Sequence, residues 1–549
     1  MVDLKPACRA LAALALVAAL TGCTKISQNT SPAGGGGGTI PGVLRYGELA
    51  EPDSLNALLS TQLVVTDVFY LIDSYFFLPD NRDNLTPEAA LEVPSAKNGG
   101  ISPDGKTLTF HLRHNMKWQD GASLNAKDVV FTFHAIMNPN NNIQVRTGYD
   151  QIADVAAKDD YTVIVRMKAV FSPIIAYFMS PQGQYPIMPA HLLARYPNVN
   201  HLPFNDKPIG SGPFKIAEWV HGDHITLEAN PLYWRGPPKL KKIIYRFLPD
   251  NNTIVTQLRT HEIDAWFRAD PSKYDDVRAL PDHVVLKSPE NLFGHIDMNT
   301  QDPILSDVRV RQALVSMIDR PRIIQDATSD VFILNDSDLA VFSWALDKSV
   351  PHFGYDPGRA RKLLDQAGWM PGPDGIRRRN GEKLALQFSY ISGNVIAAKI
   401  AAILQQEAKA VGVAISQKTY PATLFFAARQ SGGVLNSGKY QLAYFGWGAG
   451  VDPDDSSLYR CNQFPPNGQN SLFWCDPKLD AAEKDALSTY DQEQRKRDYV
   501  ITQTELTTQV PTIFLFAEQR LDVIPKAFHG FIPSPAESAN WNAWQWSMD

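Results

Sequence analysis

Cysteine is scarce here, with 4 in 549 residues, and none of the four sits in a zinc-knuckle spacing beside a histidine. That leaves metal binding through thiolates without a ligand set, and no metal site is expected. Long apolar runs are missing too. Beyond the first 22 residues nothing approaches 18 uncharged apolar residues, which excludes a bundle of membrane helices. Basic excess is absent: the net charge is −6 and Lys and Arg are dispersed, so no phosphate-tracking surface and no nucleic-acid partner are expected. Catalytic signatures are absent as well. There is no GxSxG, no HExxH and no glycine loop followed by Lys to cradle phosphate. His221-Gly222-Asp223-His224 has the composition of a turn, and no fixed-period repeat is visible. What is present is a globular composition, 44% hydrophobic and 20% charged, with length for three or four domains.

The N-terminus carries a sorting signal. Lys5 and Arg9 precede the apolar run ALAALALVAAL at 10–20, too short for the ~20 residues that cross a hydrocarbon core. Leu20-Thr21-Gly22-Cys23 follows and resembles the lipobox of bacterial lipoproteins. The expected processing removes residues 1–22 and lipidates Cys23, tethering the chain at a membrane by its acyl chains alone. Residues 23–42 are Ser, Thr, Asn and Gly with five glycines from Gly34 to Gly38, a flexible leash with a reach of about 23 Å. With Cys8 and Cys23 in the signal, Cys461 and Cys475 remain. In an exported chain an even pair reads as a disulfide, the alternative being two buried free thiols.

Strand and helix patterns alternate irregularly, as in mixed α/β domains. Leu108, Phe110 and Leu112 alternate with polar residues after the turn signal Pro103-Asp104-Gly105, as do Tyr161, Val163, Val165 and Met167. Ile243–Phe247 is a denser strand. Helices are marked by their ends: Asp356-Pro357 opens a run that stops at Gly368, Asp476-Pro477 opens another, and a third spans about Ala397–Val411 before Gly412. Their apolar stripes are core.

Five ordered segments carry a family resemblance: LRHNMKWQDGASLNAKDVVFTF from Leu112, PIGSGPFKIAEW from Pro208, ANPLYWRGPPKLKKIIY from Ala229, DVRVRQALVSMIDR from Asp307 and YDPGRARKLLDQAGW from Tyr355. Together they resemble the family 5 extracellular solute-binding proteins, the oligopeptide and dipeptide receptors of ABC importers. The likeness implies an α/β, periplasmic-binding-protein-like two-lobed clamp with an extra inserted domain. Its domain I would comprise 43–60, 204–290 and the return segment 513–549, domain II 61–203 with Trp118, and domain III 291–512. It also implies a monomer at the periplasmic or cell-surface side, handing its ligand to permease subunits. No cofactor and no catalytic residue are implied. Gly210 and Gly212, in Gly-Ser-Gly-Pro, are expected where the chain passes between lobes, since glycine adopts backbone angles closed to other residues.

The ligand is expected at Phe445-Gly446-Trp447-Gly448-Ala449-Gly450-Val451-Asp452-Pro453-Asp454-Asp455. In peptide-binding relatives this loop carries the acid that pairs with the ligand's α-ammonium. This chain has Ala449 and Gly450 where that acid tends to fall, and its first carboxylate is Asp452. Trp447, Gly446, Gly448, Asp452 and Asp454 are therefore the expected contacts, while Asp452, Asp454 and Asp455 read equally as caps of the next helix. Arg429 is a candidate for a ligand carboxylate, and Asn56 and Asn299 are carried over by position. A buried ammonium needs a carboxylate, whereas a sugar needs hydrogen bonds and an aromatic floor. Peptide is the leading expectation, an oligosaccharide or other non-peptide solute the alternative; a secreted hydrolase or a signalling receptor stands behind both.

Overall fold

The computed structural model describes residues 38–535 and 538–549. The expected signal and Cys23, with most of the leash, lie outside the described residues. Among the described residues no helix is long and apolar enough to cross a membrane.

Three hydrophobic cores organise the body. The first packs a four-stranded sheet, in the order Val43–Glu48, Lys242–Phe247, His224–Ala229 and Phe214–Val220, against the helix Leu63–Ile72 and the C-terminal residues Ala539–Met548. Val43–Glu48 pairs in parallel with Lys242–Phe247, and the rest are antiparallel. Residues 61–203 were expected to form the second domain, yet Val64, Val68 and Phe69 pack in the first core because that face of the helix is its apolar one.

The second core lies within residues 58–199, around the antiparallel sheet Thr107–His111, Thr162–Met167 and Ile152–Asp159 and the helix Ala126–Met137. Asn125 and Asp128 close a capping box at that helix, each side chain meeting the other end's backbone N–H. Trp118 is fully buried here and donates to Asp128, so it belongs to the core.

The third and largest core fills one face of a five-stranded sheet, in the order Ala414–Tyr420, Ala385–Ile391, Leu442–Gly448, His283–Met298 and Thr512–Pro525. Helices Val308–Met317, Pro357–Gln366 and Val395–Val411 cover that face. The Asp356 and Asp476 side chains cap their helices, accepting from Arg359 N and from Lys478 and Leu479 N, and Gly412 ends its helix at φ 88°. The opposite face, with Phe293 and Phe514, is covered by the segment closed by the Cys461–Cys475 disulfide. A closed loop of that length contributes about 3 kcal/mol by restricting the unfolded chain.

Two long strands, His283–Met298 and Thr512–Pro525, run together from the first core to the third. Leu286 and Ile524 reach the first, Ile296 and Ile513 the third. Their ladder breaks between Pro289 and Phe293, leaving Glu290, Asn291 and Leu292 out of register. Gly210 and Gly212, expected at a passage between lobes, lie where the chain leaves the second core at Ile209 and enters the first at Phe214. Neither glycine has positive φ; each lies against Ile72 and Asp73, where an added Cβ would overlap their backbone. Space, not backbone freedom, requires glycine at both positions.

Candidate ligand cleft

A cleft of about 900 Å³ opens where the three cores meet. Thr61, Leu63 and Thr66 line it from beside the first core, residues 145–148, 150 and 151 with Phe171, Tyr177 and Gln182 from the second, and Trp447–Gly450 with Asp454–Leu458 from the third. Its floor is the ladder break, Glu290–Leu292. Volumes of about 300–1,000 Å³ are usual for small-molecule sites, so the space suffices for an organic solute of several residues or rings.

Carboxyl groups outnumber arginines on its wall, Asp150, Glu290, Asp454 and Asp455 against Arg146 and Arg268, with burial favouring the neutral forms of Asp454 and, more strongly, Asp455. Both cations are already engaged: Arg146 donates to the carbonyls of Ile136 and Ile143, and Arg268 donates to Glu290. A cationic or neutral ligand thus suits the site better than an anion. Arg268 sits at φ 55°, a left-handed conformation uncommon for a long side chain, at the turn that aims it into the cleft.

The loop after Trp447 is held from both sides. Gln182, from the second core, donates to the Asp452 carbonyl at 3.2 Å and accepts from Asp452 N at 2.9 Å. Its amide packs so closely on Gly450 that any Cβ there would overlap it. From behind, Arg495 grips the Asp452 carboxylate in a two-pronged ion pair at 2.6 and 2.7 Å, with both side chains buried.

Several expected contacts are consequently displaced. Asp452 does not line the cleft, because its carboxylate turns inward to Arg495. Asn299 spends its amide on the carbonyls of Gly438 and Tyr440 and its oxygen on Gln301 N, in a separate hollow. Asn56 is buried against Asn205. Arg429 is exposed away from the cleft and donates to Pro465 O. Gly446 borders a neighbouring hollow with Glu518 and Arg268. Trp447, Gly448 and Asp454 do line the cleft. Asp454 also accepts from Ser456 N, the first residue of the short helix Ser456–Tyr459, whose N-cap position is held by Asp455 without a side-chain cap bond. Gln182, Arg268 and the Glu290–Leu292 floor were missed, since they come from distant segments without a motif.

Beneath the loop, Asp455 and Glu483 are buried close to Asp338. Burial, reinforced by the neighbouring acids, pushes Asp455 well above the usual carboxylate range, and burial raises Glu483 to about 8. Burial also lifts Glu88 and Asp297 to about 7. Such groups bind protons more tightly folded than unfolded, so their contribution is full below the unfolded value and lost as pH rises through the folded one. Between pH 6.5 and 8 the thermal midpoint should therefore fall. His295, held neutral at a pKa of about 3 by burial, opposes this trend only below pH 6.5. A flat or rising midpoint across that window would contradict the assignment.

Residues 87–469 match the bacterial extracellular solute-binding proteins, family 5. The chain belongs to that family. Among similar proteins is the oligopeptide-binding protein AppA of Bacillus subtilis, 27% identical over 528 residues that cover 95% of this chain and 94% of AppA. Among solved structures, the substrate-binding protein CtaP of Listeria monocytogenes superposes with a TM-score of 0.81 at 24% identity, covering 93% of this chain and all of CtaP. NikZ of Campylobacter jejuni, solved with Ni(L-His), does so with a TM-score of 0.76 at 25% identity and the same coverage. The α/β two-lobed clamp expected from the sequence is thus the fold of this family 5 protein. The relatives named are binding proteins, in keeping with a receptor and not an enzyme.

Proposed function

We propose that this family 5 protein is the lipid-anchored, extracytoplasmic receptor of an ABC importer, capturing peptides in the cleft and delivering them unchanged to the permease. Cys23 carries the anchor in this reading, and the receptor acts as a monomer. The observation that carries the proposal is the acid-rich cleft between lobes, with Trp447 on its rim and no uncommitted arginine among its lining residues. A peptide brings an ammonium for the acids and amides for the exposed backbone of Trp447–Gly450. With Asp452 committed to Arg495, the α-ammonium falls to Asp454, which lines the cleft on the same loop. The name of AppA supports peptide over other cargo, while NikZ shows that this fold also accepts a metal–amino acid complex.

Thermal denaturation of the protein with pooled peptides, oligosaccharides or nickel–histidine tests the reading. A true ligand at 100 times its Kd adds about 2.7 kcal/mol of stability. Peptides are expected to raise the midpoint; a rise with oligosaccharide or nickel–histidine alone would overturn the peptide assignment.

A further inference from the structure

A second chamber of about 150 Å³ lies behind Trp447. Trp447, Leu458 and Gln469 line both it and the main cleft, so the two spaces adjoin across a shared wall. Phe426, Leu435, Phe445 and Leu472 make its sides apolar. Cavities of about 150 Å³ accept a molecule the size of benzene, so this one holds a side chain.

Its floor is polar. His295 and Asp297, two residues apart on the strand His283–Met298, face the same way, and both are more than nine-tenths buried. His295 Nε2 lies 3.4 Å from Asp297 Oδ1, while His295 Nδ1 has no hydrogen-bond partner. The Ser471 hydroxyl donates to Asp297 Oδ2 at 3.2 Å. Among the described residues no lysine or arginine lines the chamber. Burial accordingly keeps His295 neutral and raises Asp297 to about 7. A purely structural role, docking the disulfide loop through Ser471 and the neighbouring strand through Thr512, accounts for the hydrogen bonds of Asp297. It does not account for the open volume in front of the carboxyl.

We propose that this chamber is a specificity subsite for a basic peptide side chain, lysine above all, whose apolar stem lies between Phe445 and Leu472 and whose ammonium meets Asp297. The inference rests on the peptide reading and adds to it the class of side chain selected. An ammonium arriving in an apolar-walled space offsets the cost of ionising a buried carboxyl, which a methyl-tipped side chain of equal length does not.

The test is calorimetry of the full chain with pentaalanine peptides carrying one lysine at each position in turn, each paired with its norleucine counterpart. At one position lysine should bind at least tenfold more tightly. Asp297→Asn should reduce that ratio below threefold while leaving the norleucine peptide's Kd within threefold. Should this variant fold poorly, the wild type gives a second readout at pH 6.5. The groups facing Asp297 are His295, Thr512, Ser471, Tyr459 and Tyr440, all neutral there. Ionisation of Asp297 on binding should then release up to one proton with the lysine peptide and none with norleucine, read from the dependence of the heat on buffer. Equal binding of lysine and norleucine at every position, a ratio that survives Asp297→Asn, or no difference in proton release would each overturn the subsite and leave the peptide reading intact. If no peptide binds at all, the peptide reading fails and the subsite with it.

Discussion

Arg495→Met is expected to destabilise the protein by about 3–5 kcal/mol, because it strands the Asp452 carboxylate in a buried site with no counter-charge. The loss goes beyond one ion pair. Arg495 also donates to the Ala486 carbonyl and to the Tyr499 hydroxyl, so its removal leaves the short connection between two helices without an internal brace. The double variant Arg495→Met, Asp452→Leu should recover much of the cost, since removing both members of a buried pair is far cheaper than removing one. Urea unfolding of the single and double variants measures the coupling directly. A single-variant loss below about 1 kcal/mol would mean that water reaches the pair and that the loop is not braced from behind.

Trp447→Ala should leave the free protein folded and weaken peptide binding by about 2 kcal/mol or more, a factor of roughly 30, as truncation of a central aromatic anchor commonly does. Trp447 is half-buried and stands between the cleft and the smaller chamber, so its ring is available to a ligand on either side. Its neighbours on the same sheet face, Phe293 and Phe445, are buried in two apolar clusters against whose edges Trp447 packs only as a half-buried member. Calorimetry with whichever peptide gives the largest thermal shift reads the affinity, and circular dichroism reads the fold. Loss of the fold would reassign Trp447 to the core, and an intact fold with unchanged affinity would remove its role as a ligand contact.

Much of the architecture could be read locally. Asp356-Pro357 and Asp476-Pro477 specified helix starts because a cap and its helix are sequence neighbours, and the alternation from Leu108 to Leu112 marked a half-buried strand for the same reason. Cys461 and Cys475 form the expected bond. The ligand cleft was legible only in part. Trp447, Gly448 and Asp454 could be placed there by resemblance, but the partner that turns Asp452 away lies 43 residues downstream on a helix whose charged sequence gives no sign of a buried arginine. Gly210 and Gly212 teach a related lesson. The sequence suggested unusual backbone angles; the fold shows instead that Ile72 and Asp73 leave no room for a side chain. Gln182, Arg268 and Glu290 share no local pattern, and three remote segments must be folded together before they become neighbours.

Gln182 meets Asp452 through main-chain atoms alone, which separates fastening from selection. Such a grip does not depend on the side chain at position 452, so the loop can change its side chains without losing this fastening to the second core.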